Sequence, residues 1–506
     1  MDCRMNEERD TRQTMDDTLM GVIQSKQRDE EEDEAPTEAT LYRLHVDSRR
    51  NYRAVEILLC DLSRPHMRAF HTAWWSFFVG FVLWFSVSPI VSDIQDTQEL
   101  TSDEVWISSL VGIAGTVATR LIVGPLCHTI GPRRLTTIML AGASIATSLT
   151  GLVNGANGLM VLRLFVGVAA GTFVTCQYWM TRMFTHEIIG TATAIAGGWG
   201  NLGAVVTQLF VRNTLRPLFL HMTQQRVEPM WRTMCIIPAV VGIATAVVTY
   251  WNSDDDPTHR RNKTRYPPST ALTVAWRATR NINTWILAFQ YAGCFGVELT
   301  MQTAAANYFI DNFNQNEESA FALAAVFGWM NLFARGIGGY ASDKLHTRYG
   351  MRGRLFMLMI LLSFESISAV TFAQTTRLSF AVGSMLIFSF FVQAAEGATF
   401  AIVPYVDPPS TGAVMGIVGA GGSAGAIVFS VAFRKMHYDT AFLFMSLTMI
   451  ASSILTFFIC IRDYSSLIRG NVEGVETTTT HDILFLDEGT ESQTPTEHAE
   501  TTQQSP

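Results

Sequence analysis

Residues 105–124 read VWISSLVGIAGTVATRLIVG and residues 322–340 read ALAAVFGWMNLFARGIGGY, two stretches apolar enough for a membrane helix, each with one charge, Arg120 and Arg335. A guanidinium facing lipid costs from about 3 to about 17 kcal/mol depending on the reference state, so each arginine must face protein or a watery cavity. The two lie 215 residues apart, and each is followed four residues later by a glycine, Gly124 and Gly339. One device built twice is expected. Two guanidinium groups at membrane depth point to an anion.

The composition around these stretches agrees with a membrane chain. Of 506 residues 48% are hydrophobic and only 16% charged, and the mean hydropathy is +0.20. The charges are segregated. Residues 1–68 carry the acidic run RDEEEDEAPTE and residues 463–506 are rich in Ser, Thr and Glu, so both ends read as disordered, solvated tails. The net charge of -8 comes largely from these tails and implies no nucleic-acid partner. Seven cysteines, Cys3, Cys60, Cys127, Cys176, Cys235, Cys294 and Cys460, have no paired spacing and read as small core residues, not as disulfides or metal ligands. The charged amino end, with the first apolar run beginning near Phe70, predicts no cleavable signal peptide.

Apolar stretches long enough to cross a bilayer fall at about 70–93, 105–127, 135–154, 158–181, 188–211, 232–251, 284–310, 318–341, 355–374, 378–403, 411–434 and 440–461. An all-α integral membrane protein of twelve helices is expected. Arginine and lysine cluster before the first span, between spans two and three (Arg133, Arg134), in HRRNKTR of the central loop and in DKLHTRYGMRGR, whereas the first outer loop is DIQDTQELTSDE. The positive-inside rule then puts both termini and the loop 252–283 in the cytoplasm, most simply beneath a plasma membrane. Arg212, Arg216, Arg226 and Arg232 dissent, falling on the outer side. On this topology the Asn262 sequon is cytoplasmic and unglycosylated.

A second repeat supports the first. GGWGNLGA at 197–204 and GAGGSAGA at 419–426 match in small-residue pattern at an offset of 222, with Asn201 in register with Ser423. Two pseudo-symmetric six-helix halves, 69–251 and 284–462, with matching positions in their second and fifth spans, are the organisation of the major facilitator fold. Its substrate site lies near the midplane, between the halves.

Several strings narrow this further. AGGWGNLG around Asn201 with CQYWM before it, ARGIGGYASD around Arg335, GMRGR at 350–354 and ATFAIVPYV at 398–406 closely resemble the nitrate/nitrite porter family of that superfamily, particularly its plant and algal high-affinity members. The resemblance covers about 68–460. It implies that Arg120 and Arg335 clasp nitrate from opposite halves, that Tyr291 hydrogen-bonds it and that Phe173 and Phe295 sandwich its flat face. The chemistry suits these residues. Nitrate is a flat, weakly basic monoanion that calls for a planar, always-charged fork of donors. The amide of Asn201 can donate to an oxygen, whereas Gly197, Gly200 and Gly203 read as packing. Arg163 reads as a snorkelling or inter-helix residue.

Moving an anion against a negative interior requires coupled positive charge. Proton symport is what the plant and algal resemblance implies, while bacterial relatives include nitrate/nitrite exchangers. Glu298, Glu365, Glu396 and His71 are candidate carriers, and Glu298 leads because Tyr291, Phe295 and Glu298 share one helix face. The superfamily's gating loop appears as GPLCHTIGPRR, with His128 where aspartate is expected, and as GGYASDKLHTRYG, which retains Asp343. His128 therefore puts one inter-half contact in question.

No nucleophile–base pair, metal-ligand cluster or phosphate loop marks an enzyme, and no cofactor is expected. Nitrite, bicarbonate and formate are small oxyanions that two arginines could equally hold, and a sensor that binds without transporting would keep the same residues. Some plant relatives work with a small single-span membrane protein; nothing in this chain reports on one.

Overall fold

The structure is a computed structural model describing residues 42–258, 268–468 and 470. Its amino-terminal half runs α1 (His66–Phe85), α2 (Val91–Thr97), α3 (Ser102–Ile130), α4 (Pro132–Thr150), α5 (Ala156–Val166), α6 (Thr172–Met183), α7 (Ile189–Phe210), α8 (Arg216–Met222), α9 (Val227–Met234) and α10 (Ile236–Asn252). After α11 (Pro268–Arg280) come α12 (Ile282–Phe313), α13 (Glu317–Trp329), α14 (Ala334–Ala373), α15 (Leu378–Val406), α16 (Thr411–Lys435) and α17 (Tyr438–Leu455). Helix fills each of the twelve expected places. Nine helical stretches among the described residues are long and apolar enough to cross a membrane.

The shortfall from twelve has physical causes. The stretch Glu317–Ala373 holds two rods joined at Gly350, whose φ of 61° and ψ of -151° favour a residue without a Cβ. Helix α4 opens with Arg133 and Arg134, and α12 carries Asn283, Gln290, Glu298, Gln302 and Asp311, which dilute its apolarity. Four of these polar groups of α12, Asn283, Gln290, Glu298 and Gln302, turn inward, whereas Asp311 is exposed. Ile122, Ile138, Val240, Trp251, Ile367 and Phe458 face outward instead, as helices bathed in hydrocarbon require. The chain is a multi-pass integral membrane protein.

The two halves touch through bare backbone. A Cβ on Gly124 of α3 would stand 2.5 Å from the carbonyl oxygen of Gly412, and one on Gly416 2.4 Å from that of Arg120. In the mirrored contact, a Cβ on Gly339 of α14 would stand 2.2 Å from the Gly190 carbonyl oxygen. The two glycines that follow the buried arginines thus lie at points of close backbone approach between the halves, in the α3–α16 and α14–α7 contacts.

Some connections carry more structure than their composition implied. Residues 46–47 and 53–54 form a small antiparallel β-pair within the stretch read as tail. Ala54 bridges Phe184, its carbonyl accepts the Thr185 N–H at 3.0 Å, and Arg50 pairs with Glu187. Part of the central connection is helical, as α11, while Asn262 lies outside the described residues. We call the end of the bundle that holds residues 42–65 and 252–258 the tail end.

Cys127, Cys176, Cys235 and Cys294 are buried as expected of core residues, but Cys60 and Cys460 are exposed; Cys3 lies outside the described residues. Three of the dissenting arginines meet carboxylates: Arg212 on Glu317 at 2.9 Å, Arg216 on Asp93 at 2.7 Å and Arg232 on Glu228 at 2.8 Å. Arg163 is an inter-helix residue, donating to Ser108 and Ser109 of α3.

Candidate functional site between the halves

Arg120 and Arg335 are both 0% exposed and meet in the interior where the halves face each other. Arg120 donates from Nη1 to the Gly419 carbonyl at 2.6 Å and from Nε to the Ala170 carbonyl at 3.4 Å; its Nη2 has no partner. Arg335 donates from Nη2 to the Tyr291 hydroxyl at 3.0 Å and forms an ion pair through Nη1 with Glu396; its Nε has no partner. Burying a guanidinium with a donor unmet is costly, and an anion acceptor removes that cost.

The small-residue repeats supply the beds on which these side chains lie. A Cβ on Gly419 would sit 3.4 Å from Arg120 Cδ, one on Gly422 2.6 Å from the Tyr291 ring and one on Gly197 2.9 Å from Arg335 Nε. Larger residues there would evict the arginines and aromatics.

Phe173, Tyr291 and Phe295 form a nearly parallel stack. Tyr291 and Phe295 are inclined by 3° with centroids 5.4 Å apart, and Phe173 faces them at 6.0 and 6.3 Å. The Arg120 guanidinium lies 4.9 Å from the Phe173 centroid and 4.8 Å from that of Phe295, and Arg335 lies 5.7 Å from Phe173. Donors at the edge and ring faces above and below are the complement of a flat anion. A flat group between two rings needs about 7 Å, two contacts of about 3.5 Å each, so entry requires Phe173 to withdraw slightly. Phe400 closes the stack edge-on, 4.9 Å from both Phe173 and Tyr291.

Of the residues singled out in the sequence, Arg120, Phe173, Tyr291, Phe295 and Arg335 come together here. Asn201 stands one step away: its amide donates to Glu298 at 3.0 Å and to Asn331 at 3.5 Å. Glu298 also accepts from Gln302 at 2.9 Å and from Asn331 at 2.5 Å, so it is held by three amides. Glu396, not Glu298, is the acid paired with Arg335. Glu365 is buried beside Cys294, and His71 accepts a hydrogen bond from Trp74 at 3.0 Å. Phe400, Asn331 and Gln302 were not picked out from the sequence. Phe400 stood inside the quoted string ATFAIVPYV, which was the available signal.

The two gating candidates lie toward the tail end and make matching contacts. Asp343 accepts the N–H groups of Gly190 and Thr191 at 3.0 and 2.6 Å, at the start of α7 in the other half, and pairs with Arg354 at 2.8 Å. His128 accepts the N–H of Gly412 at 3.2 Å, at the start of α16 in the other half, and meets the Tyr178 hydroxyl at 3.2 Å. Gly190 and Gly412 are 222 residues apart, the offset of the glycine repeats. The inter-half contact questioned at His128 therefore exists, with an imidazole nitrogen where the other half has a carboxylate. Arg354, from GMRGR, adds to these contacts by donating to the His186 carbonyl at 3.0 Å and the Tyr405 hydroxyl at 3.2 Å.

Comparison with known proteins agrees with this architecture. The Major Facilitator Superfamily profile matches residues 73–430. The chain is 34% identical over 445 residues to "High-affinity nitrate transporter 2.3" of Oryza sativa subsp. japonica, covering 86% of this chain and 85% of that one. It is 37% identical over 388 residues to "High affinity nitrate transporter 2.7" of Arabidopsis thaliana, covering 73% and 78%. Among solved structures, the human organic anion transporter MFSD10 superposes with a TM-score of 0.59 at 12% identity, covering 78% of this chain and 100% of that one, a likeness of fold. With its two-half helical fold, its mirrored arginines and this degree of likeness, the chain belongs to the major facilitator superfamily and, within it, to the family of the high-affinity nitrate transporters.

Proposed function

We propose that this protein carries nitrate across a membrane by alternating access, with protons as the co-transported ion. Arg120 and Arg335 grip the anion edge-on from opposite halves, Phe173 and Phe295 cover its faces and Tyr291 orients Arg335. The observation that carries the reading is the pair of buried guanidinium groups, one from each half, each with an unmet N–H beside an aromatic stack. A grip shared by both halves makes the ligand part of the contact between them, which is what couples binding to access. Asn201 acts behind the site by holding Glu298, and Asp343 with His128 closes the tail end. In this reading the tail end faces the cytoplasm, the membrane is the plasma membrane, and the halves are residues 69–251 and 284–462 with twelve crossings in total.

The test is nitrate uptake in proteoliposomes under imposed pH and voltage gradients, with nitrite, bicarbonate and formate as competitors. Arg120→Lys and Arg335→Lys keep the charge but lose the planar fork, and each should weaken nitrate binding about 10- to 100-fold, the worth of one charge-assisted hydrogen bond. Undiminished affinity in both variants would sink the clasp. Binding without flux would make the protein a sensor, and flux that demands nitrate on both sides would make it an exchanger.

A further inference from the structure

Glu396 presents an arrangement that the clasp does not require. One of its carboxylate oxygens, Oε2, is on Arg335, while Oε1 meets no donor although the residue is 0% exposed. The carboxyl group within hydrogen-bonding reach is that of Glu298. Glu298 already receives three amide N–H groups, from Asn201, Gln302 and Asn331, and its carboxyl group has one acceptor position still open. Two buried carboxyl groups within hydrogen-bonding reach of each other can share a proton, and Glu396, with one oxygen unmet, has an oxygen free to carry it.

We propose that Glu396 and Glu298 jointly hold one proton, and that this proton is what makes Arg335 available to nitrate. This rests on the nitrate reading above and assigns the coupling to a particular pair. Without the proton, Glu396 is an anion bound to Arg335, and it competes with the substrate for the same guanidinium. With the proton, Glu396 turns toward Glu298 as a neutral donor, and Arg335 is left with Tyr291 and the incoming anion.

The other ionisable groups around Glu396 are Arg335 and Glu365 of α14, Tyr291, Cys294 and Glu298 of α12, and Arg120 of α3. From α7 the facing group is the neutral amide of Asn201, bound to Glu298. With Glu365, which pairs with no cation among the described residues, counted as a neutral acid, Arg120 and Arg335 against Glu298 and Glu396 sum to zero charge when both of those acids are ionised. Adding nitrate would leave a buried net negative charge. One proton on the acid pair restores neutrality in the loaded site, so proton and anion favour each other's binding, and by linkage the effect is reciprocal.

The experiment is isothermal titration of the purified full-length protein with sodium nitrate between about pH 5 and pH 8.5, in two buffers of different ionisation enthalpy. We expect Kd to be constant on the acid side and then to rise about tenfold per pH unit, with a buffer-dependent heat reporting uptake of about one proton per nitrate bound. Glu396→Gln and Glu298→Gln should each bind nitrate with a pH-independent Kd and no proton uptake. In proteoliposomes they should keep nitrate counterflow while losing accumulation driven by a pH gradient. A wild-type protein that binds nitrate with flat affinity and no proton uptake overturns the proposal and leaves the nitrate reading standing. Wild-type slope retained in both variants also overturns it. Failure of the wild type to bind nitrate at any pH overturns the function itself. Should either variant fold poorly, the wild-type measurement in two buffers decides alone.

Discussion

Replacing Asp343 by asparagine should open the tail end. The carboxylate accepts the Gly190 N–H at 3.0 Å, the Thr191 N–H at 2.6 Å and the Thr191 hydroxyl at 2.6 Å, three bonds that cross between the halves. Its pairing with Arg354 at 2.8 Å lies within the carboxy-terminal half and persists or fails independently of opening. Asparagine keeps one acceptor oxygen and turns an NH2 toward the donors, so at least one N–H at the start of α7 goes unmet. A charge-assisted hydrogen bond is worth about 1.5–3 kcal/mol, and loss of a negative charge at a helix start removes about 0.3–1 kcal/mol more. A shift of about 3 kcal/mol toward the open state follows, roughly a hundredfold in population at about 1.4 kcal/mol per decade. Cys176 is a native reporter, buried one turn from Phe173 and close to Arg335. With Cys3, Cys60 and Cys460 changed to serine, its maleimide labelling rate, resolved by peptide mass spectrometry, should rise about a hundredfold in Asp343→Asn. A rate unchanged in a folded variant would refute the assignment of Asp343 as an inter-half latch.

Three further outcomes are expected. Phe173→Ala removes a ring that faces both arginines, at about 0.5–2 kcal/mol per cation–π contact, so nitrate Kd should rise about tenfold, read by titration. Gly416→Ala places a methyl 2.4 Å from the Arg120 carbonyl oxygen, and the overpacking should cost about 1–3 kcal/mol, read as a lowered Tm in detergent. In the loop between α6 and α7, burial, reinforced by Arg53, pushes the His186 imidazole down to about 3. An unfolded histidine binds a proton near pH 6.5, so the stability this residue lends is present above that pH and is lost as pH falls toward about 3. The amide protection factors of residues 46–54, which are docked on this loop, should fall across that window, and less so in His186→Asn.

Much of the site was legible because it violates cheap rules. Arg120 and Arg335 stand out by the cost of charge in an apolar run, and their shared spacing to glycine reveals the duplication. Tyr291, Phe295 and Glu298 lie within one helix, where 3.6-residue periodicity alone puts them on one face. The pairing of Glu396 with Arg335 was not legible, because it depends on how α15 is rotated against α14, and no spacing within one helix encodes that. Asn331 escaped for the same reason: it sits in a short 3-10 turn between α13 and α14, where the helical repeat breaks. The β-pair at residues 46–54 is two residues per strand, too short for alternation to register, and is held largely by backbone bonds that any sequence could make.

The glycine contacts between the halves also set a lever ratio. Gly124 and Gly339 each follow an arginine of the proposed grip by four residues, about 6 Å along the helix axis, whereas Ser102 at the far end of α3 is about 33 Å from Gly124. For a fulcrum at these contacts, a tilt of about 15° sweeps the helix end through about 9 Å but carries the arginine backbone through only about 1.6 Å. That is within the reach of a side-chain rotamer, so under the proposed grip both guanidinium groups can stay on one small ion throughout the stroke. Placing the pivot beside the cargo allows a wide mouth to open without loosening the hold.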